Sequence, residues 1–193
     1  MRLKILVIYG SVRSDRQGIK AARFILSKLK ERGHDVELID PVQYKLPLLD
    51  KMYKEYKQSK APRTLEKLAK MIKEADAYVI VSGEYNHSPP PALMNLLDHF
   101  LEEYFFKPSA VVSYSSGPWG GVRSTSHLRD FLAEMGMPTI PTSLPVPKVQ
   151  DAFDDKGNPK EGESWDRRSK QFIEELEWYA LALKNQRKKG RPY

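Results

Sequence analysis

The sequence predicts an α/β domain in which helices cover both faces of a single parallel five-stranded sheet. Apolar runs of strand length alternate with segments of helical period along the chain, and such alternation implies right-handed crossovers between parallel strands. Two of the runs, 4–9 and 77–82, are apolar almost throughout, as expected for strands that are buried on both faces. Five strands in 193 residues favour the strand order 2-1-3-4-5 over a larger dinucleotide-binding sheet.

Each element has its own pattern. Apolar or alternating runs predict strands at 4–9, 35–40, 77–82, 109–114 and, in short form, near 139–140. Apolar residues spaced by three and four predict helices at about 18–32, 64–74, from Pro89 onward, around 128–135 and at 165–184. The segment 41–63 lacks a clear period, and 151–164 is predicted to be a polar arm. This arrangement is typical of the flavodoxin-like three-layer sandwich.

The composition limits the possible classes of function. The length fits one domain, 1–186, followed by a basic tail, 187–193, which we expect to be solvated and not a contact for nucleic acid or membrane. Without cysteine there is no disulfide, thiol catalysis or cysteine-based metal centre, and the four histidines lack the spacing of a metal site. No apolar run approaches the ~20 residues of a spanning helix, so we expect a cytoplasmic protein.

Three loops of unusual composition follow predicted strands one, three and four, at 10–18, 83–88 and 115–121. The carboxyl ends of these strands lie together in the predicted sheet, at the edge where such sheets bind ligands. In the first loop, Ser11 supplies a hydroxyl, Arg13 and Arg16 supply cations, and a helix begins near Gly18. These groups suit a phosphate, although a tight turn with solvent-facing arginines has the same pattern.

Several ligand classes are excluded by absent motifs. No GxGxxG follows the first strand, no GxxxxGK[ST] occurs, and no GxSxG nucleophile turn is present. The first strand ends in Gly-Ser and not in the acidic residues of a receiver domain. The ligand class that these absences leave open is a mononucleotide with a terminal phosphate and a flat polar ring.

The loops carry a family resemblance. Gly10-Ser11-x-Arg13, then Glu84-Tyr85-Asn86-His87-Ser88 leading to Leu93-x-Asn95-x-x-Asp98, and Ser116-Gly117-x-x-Gly120-Gly121 with Arg123 resemble the NADPH-dependent FMN reductase family. That family has the flavodoxin-like fold and includes quinone, azo-dye and chromate reductases. Arg16 departs from the pattern, because many relatives carry a hydroxyl residue there.

The resemblance implies roles for residues of all three loops. Ser11, Arg13 and the turn formed by Arg16, Gln17 and Gly18 would bind the FMN phosphate. Glu84, Tyr85 and Asn86 would hold the edge of the isoalloxazine ring, largely through backbone atoms, and Ser116, Gly117, Trp119, Gly120 and Gly121 would line its other end. The glycines would permit close approach and positive φ, and N–H groups at the start of the fourth helix could stabilise negative charge on the ring. Tyr85 could instead be a core residue, and Glu84 could simply face a helix.

The resemblance also implies an activity, in which a hydride passes from NADPH or NADH through bound FMN to a small acceptor such as a flavin, a quinone, an azo compound or a metal oxyanion. We name no catalytic side chain, because the cofactor supplies the chemistry. A homodimer or homotetramer is implied, with contacts through 41–63, the helix from Pro89 or the arm 151–164. A flavodoxin-type electron carrier and a flavin-dependent regulator of a protein partner remain as alternatives.

Overall fold

The computed structural model describes residues 1–57, 60–160 and 163–193, and it confirms the predicted sheet. Five strands pair in parallel in the order β2-β1-β3-β4-β5. The strands are β1 (Lys4–Tyr9), β2 (Asp35–Ile39), β3 (Ala77–Gly83), β4 (Ser109–Tyr114) and β5 (Thr139–Val146). The helices are α1 (Ile19–Glu31), α2 (Arg63–Glu74), α3 (Pro91–Asp98), α4 (Val122–Glu134), α5 (Val149–Ala152) and α6 (Glu163–Arg187).

Helices cover both faces of the sheet, which explains why the central strands are mostly apolar. Side chains alternate between the two faces: Val7 and Val79 belong to the core under α1 and α6, whereas Ile8 and Ile80 belong to the core under α2, α3 and α4. All of β3 and β4 is buried. Among the described residues, no helix has both the length and the apolar character needed to cross a bilayer.

The sequence prediction fails mainly near the C-terminal end. Strand β5 is longer than the short strand predicted near 139–140, and its prolines are tolerated because β5 is an edge strand. A helical turn, α5, overlaps the start of the polar arm, and the arm itself holds an isolated bridge between Phe153 and Pro159. Two residues of this arm, 161 and 162, and two of the segment 41–63, 58 and 59, lie outside the described ranges.

The basic tail begins on the body of the domain and not in solvent. Arg187 is the last residue of α6, and its guanidinium donates a hydrogen bond to the Phe106 carbonyl (2.7 Å) and lies 3.5 Å from a carboxylate oxygen of Asp76. Lys184 also donates to Asp76, at 2.6 Å. Contrary to the expectation of a solvated end, the side chain of Arg187 is therefore held at the amino-terminal edge of the sheet.

Tyr114, the last residue of β4, sets the spacing of the elements at the carboxyl edge of the sheet. Its ring fits against two glycines: a Cβ on Gly18 would lie 2.0 Å from a ring carbon, and a Cβ on Gly83 would lie 3.1 Å from one. The Tyr114 hydroxyl is 3.5 Å from the hydroxyl of the fully buried Tyr9. The first turn of α1 and the end of β3 can approach this ring only because both positions lack a side chain.

We therefore expect Gly18→Ala to destabilise the protein by about 1–3 kcal/mol, because the added methyl group would overlap the buried ring of Tyr114. Gly117→Ala is the matched control, because its Cβ would meet only the Ser115 hydroxyl, at 4.0 Å. Urea unfolding of the two variants and the parent protein measures the difference. Equal free energies of unfolding for both variants would contradict the role given to Tyr114.

Candidate functional site

A cleft of about 290 Å³ opens at the carboxyl ends of β1, β3 and β4, where the sequence analysis expected a ligand. Eight of the residues selected from the sequence line it: Ser11, Arg13, Arg16, Gln17, Gly18, Glu84, Tyr85 and Ser116. Asp15, Gly83, Tyr114, Ser115 and Val149 complete the lining. Asn86, Gly117, Trp119, Gly120 and Gly121 belong to the same loops but do not line the cleft.

Ser11 and Arg13 present the groups best suited to an anion. Ser11 is buried at the end of β1, and its hydroxyl oxygen lies 3.4 Å from the backbone nitrogen of Arg13. The side chain of Arg13 is exposed, and within the described ranges it has no carboxylate partner. A hydroxyl donor and an unpaired guanidinium in the lining of one cleft can hold a phosphate by charge-assisted hydrogen bonds.

Arg16 does not have the role of an unpaired cation that the sequence suggested. Its guanidinium is ion-paired with Asp40, a carboxylate only 3% exposed that follows β2, and it also approaches the Ser11 carbonyl. The hydrogen bond to Asp40 raises the pKa of Arg16 above its ordinary value. Most of the positive charge of Arg16 is thus compensated inside the protein, because an ion pair presents little net charge to a ligand.

The start of α1 also offers fewer unpaired donors than expected. The backbone N–H groups of Ile19 and Lys20 donate to the carbonyls of Arg16 and Gln17, at 3.2 and 3.1 Å. The Gln17 amide is itself hydrogen-bonded to the carboxylate of Asp15. In this conformation the loop satisfies several of its own polar groups, so an anion would depend mainly on Ser11 and Arg13.

The second loop is a tight two-residue turn. Tyr85 and Ser88 exchange two backbone hydrogen bonds, of 2.9 and 3.0 Å, around Asn86 and His87. Both central residues have positive φ, 51° and 66°, a conformation that asparagine adopts more readily than most residues. The N–H and C=O groups of Tyr85 are both used within the turn. A ligand would therefore have to hydrogen-bond to backbone groups of the residues next to Tyr85.

Glu84 has a structural role that the sequence analysis held open. One of its carboxylate oxygens accepts hydrogen bonds from the backbone N–H groups of Arg123 (3.0 Å) and Ser124 (3.2 Å), in the first turn of α4. A carboxylate at this position satisfies unpaired donors and the positive end of the helix dipole. These two N–H groups are therefore occupied by Glu84 and do not point freely at a bound ring.

The glycines of the third loop serve the packing of the protein itself. Gly120 and Gly121 have positive φ, 63° and 76°, as the sequence suggested. A Cβ at Gly120 would lie 2.9 Å from the backbone of Pro147, and one at Gly121 would lie 2.8 Å from the Tyr114 carbonyl oxygen. The close approach that these glycines permit is thus to neighbouring backbone, and not to the cleft.

Sequence reasoning missed Tyr114, because an aromatic residue at the end of a buried strand resembles any other core residue. Burial raises the pKa values of both Tyr114 and Tyr9 further above neutral pH, where both hydroxyls are protonated and can donate hydrogen bonds. Its position at the end of a predicted strand, just before Ser115-Ser116-Gly117, is the sequence feature that could have identified Tyr114 as a site residue.

A larger cavity of about 650 Å³ lies beside the cleft, across the exposed side chain of Val12. We call it the apolar groove; it is lined by Val12, Pro41, Val42, Tyr44, Lys45, Leu46, Leu48, Pro91, Ala92, Asn95 and Leu96. The amide of Asn95 fixes its wall by accepting from the N–H of Leu49 and donating to the carbonyl of Pro47, both at 2.9 Å. The groove lacks the concentration of polar groups found in the cleft, which makes the cleft the better site for a charged ligand.

Comparison with known proteins agrees with the geometry. A family model described as NADPH-dependent FMN reductase matches residues 3–151. The chain is 34% identical over 155 residues to an NAD(P)H-dependent FMN reductase of Schizosaccharomyces pombe, covering 76% of each chain. It is 31% identical over 135 residues to a quinone reductase of Escherichia coli, covering 68% of this chain and 70% of the relative.

Solved structures show the same fold at lower identity. A flavoenzyme NAD(P)H:(acceptor) oxidoreductase from Paracoccus denitrificans superposes with a TM-score of 0.72 at 23% identity, covering 92% of this chain and 97% of that one. A flavodoxin from Pseudomonas aeruginosa gives a TM-score of 0.52 at 17% identity, covering 94% and 99%. The flavodoxin-like fold is thereby confirmed, and the match along residues 3–151 shows that the chain belongs to the NADPH-dependent FMN reductase family.

Proposed function

We propose that the cleft binds FMN and that the protein catalyses NAD(P)H-dependent reduction of a small acceptor such as a flavin or a quinone. The observation that supports this proposal is that one cleft is lined by Ser11 and Arg13, which suit an anion, and by Tyr85 and Ser116 from the other two loops. The names of the curated relatives support the same assignment.

The donor set of the cleft fits such a ligand. The unpaired guanidinium of Arg13 matches a terminal phosphate, and the apolar and aromatic surface of Tyr85, Tyr114 and Val149 suits a flat ring. FMN, when bound, supplies the hydride chemistry, so no acid or base of the protein is required. The residues of this chain would bind and orient the cofactor; the hydroxyl of Tyr114, a lining residue, donates to Tyr9 at 3.5 Å.

The decisive test is anaerobic reduction. We expect the purified protein to retain or take up FMN and show flavin absorbance that is bleached by NADPH or NADH within seconds, and to recover the absorbance when a quinone is added. A flavodoxin-type carrier would bind FMN without being bleached by either nucleotide. That result, or the absence of FMN binding, would refute the proposal.

The role of Arg13 predicts a phosphate-specific defect. We expect Arg13→Gln to weaken FMN binding by about 10- to 100-fold while changing riboflavin binding by less than about twofold, because only FMN carries the phosphate. Arg167→Gln, at an exposed position of α6, controls for the change in net charge. Fluorescence titration of both flavins measures the effect, and equal losses for FMN and riboflavin would contradict the role given to Arg13.

We further propose that two copies of the chain associate through the apolar groove. Leu48, which lines the groove, is 85% exposed, and its neighbour Leu49 is 41% exposed; both lie in the segment 41–63 that was predicted to contact a second subunit. Burial of such residues against a partner would be favourable. We expect sedimentation velocity to show a dimer or tetramer that Leu48→Lys shifts toward monomer, whereas Trp178→Lys on α6 does not. A monomer at all concentrations would refute this assembly.

A further inference from the structure

A further cavity, rich in charged groups, lies at the amino-terminal edge of the sheet, the edge opposite the cleft. It has a volume of about 240 Å³ and is bounded by the end of α2, the residues just before β3 and β4, and the end of α6. We call it the basic cavity; besides Ala75, six cationic side chains and two carboxylates line it: Lys73, Glu74, Asp76, Lys107, Lys184, Arg187, Lys188 and Arg191. Positive charge therefore exceeds negative charge around this cavity.

The two carboxylates of the basic cavity already have cationic partners. Asp76 is buried, and it pairs with Lys184 at 2.6 Å and with Arg187 at 3.5 Å. Glu74 pairs with Lys4 at 2.6 Å, and Lys4 is not a lining residue of the cavity. One carboxylate is thus shared by two cations, and the other is engaged from outside, so neither can compensate the remaining positive charge.

The chain after α6 brings two further cations to the cavity. Gly190 has a φ of 128°, and its N–H group donates to the Arg187 carbonyl at 3.3 Å, which ends the helix and turns the chain. Lys188 and Arg191, on either side of this turn, are exposed. Within the ranges that the structure describes, neither is ion-paired with a carboxylate. Both can therefore contact a ligand without breaking an existing ion pair.

Lys107 adds a positive charge that is almost fully buried. Its side chain belongs to a residue only 2% exposed, and the ammonium donates to the carbonyls of Ile72, Lys73 and Glu103 at 2.7, 2.9 and 2.8 Å. An ammonium has three hydrogens, so these carbonyls use all of its donors. Lys107 would consequently attract an anion through its charge and not through a direct hydrogen bond.

Like charges lie close together around Lys107. Burial, and after it the positive charges of Arg187 and Arg191, lower the pKa of Lys107 to about 7. An anion in the basic cavity would offset this repulsion and favour the protonated form of Lys107. The other titratable or charged groups around its ammonium are Lys73, Asp76, Tyr78, Glu103 and Lys184.

A neighbouring cavity of about 360 Å³ shares Arg187 and Arg191 with the basic cavity. Its lining also includes apolar surface from Phe106, Leu183 and Pro192. The ring of Tyr193 lies 4.9 Å from the ring of Phe106, between centroids. A ligand with its phosphates in the basic cavity could place an attached organic group against this surface.

We propose that the basic cavity binds a ligand with two or more linked phosphate groups, such as inorganic tripolyphosphate or the phosphate chain of a nucleotide. The ammonium of Lys188 and the guanidinium of Arg191 would hold phosphate oxygens by charge-assisted hydrogen bonds. A multiply charged anion is favoured over a singly charged one, because several cations remain uncompensated. The site lies at the edge of the sheet opposite the cleft, so the inference goes beyond the proposed function and does not depend on it.

Isothermal titration calorimetry of the full chain with tripolyphosphate tests the site. We expect one tripolyphosphate per chain, bound at least about tenfold more tightly than orthophosphate, and a loss of about tenfold or more in the double variant Lys188→Gln with Arg191→Gln. The matched control is Arg167→Gln with Lys170→Gln, which removes the same charge from exposed positions about 25–30 Å earlier along α6. The control should change binding by less than about twofold. Equal losses in both double variants would overturn the proposal, because they would show attraction by net charge alone.

Proton uptake distinguishes the basic cavity from general attraction to the chain end. A group with a pKa of about 7 is about nine-tenths unprotonated at pH 8, and a bound anion should return the proton to Lys107. Binding enthalpies in HEPES and in Tris at pH 8 give the number of protons taken up. The parent should take up at least about 0.3 proton more per bound tripolyphosphate than Lys107→Arg, whose cation does not titrate. Equal uptake by the two proteins would contradict the proposed position of the anion; if Lys107→Arg does not fold, the two double variants still test the site.

Two further ligands show which part of the ligand is recognised and where it binds. ATP carries the same phosphate chain on an organic group, and the double variant at Lys188 and Arg191 should weaken its binding as it weakens that of tripolyphosphate. ATP binding tighter than tripolyphosphate binding would support a ligand that also uses the neighbouring cavity. Displacement of tripolyphosphate by FMN would place the anion in the cleft, which would overturn this inference and leave the proposed function intact.

Discussion

The site depends on one steric fit, the packing of the Tyr114 ring against two positions that have no side chain. Gly18 immediately precedes α1 and Gly83 ends β3, so the ring packs against both the first loop and the start of the second loop. Tyr114 closes β4 and is followed at once by the third loop. The positions of all three loops therefore depend on the same rigid ring, which fixes the distances between the loops better than contacts between flexible loops could.

The fold was largely predictable because its signals are local. Buried parallel strands are apolar throughout and helices have a clear period, so both the element order and the sheet order followed from the chain. Strand β5 was underestimated because Pro141 and Pro145 resemble strand breakers, and only its position at the edge of the sheet makes them acceptable. Whether β5 lies at the edge depends on the assembled sheet, and the sequence of β5 alone does not show it.

The candidate site was predictable in location but less so in its electrostatics. Composition identified the three loops, yet the partners of their charged residues come from distant parts of the chain. Arg16 meets Asp40 from the end of β2, and Glu84 meets the first turn of α4, 39 and 40 residues further along. Pairings of this kind depend on tertiary geometry, so a count of arginines in a loop overestimates the charge that a ligand would experience.

The pairing of Arg16 with Asp40 also affects how the protein could be redesigned. Adding further basic residues to the first loop would leave the charge of Arg16 compensated by Asp40. An engineer who wanted flavin retained during purification or immobilisation would therefore gain more by altering the end of β2 than by altering the loop itself. If FMN binds as proposed, its retention would depend partly on Asp40, the residue that follows β2.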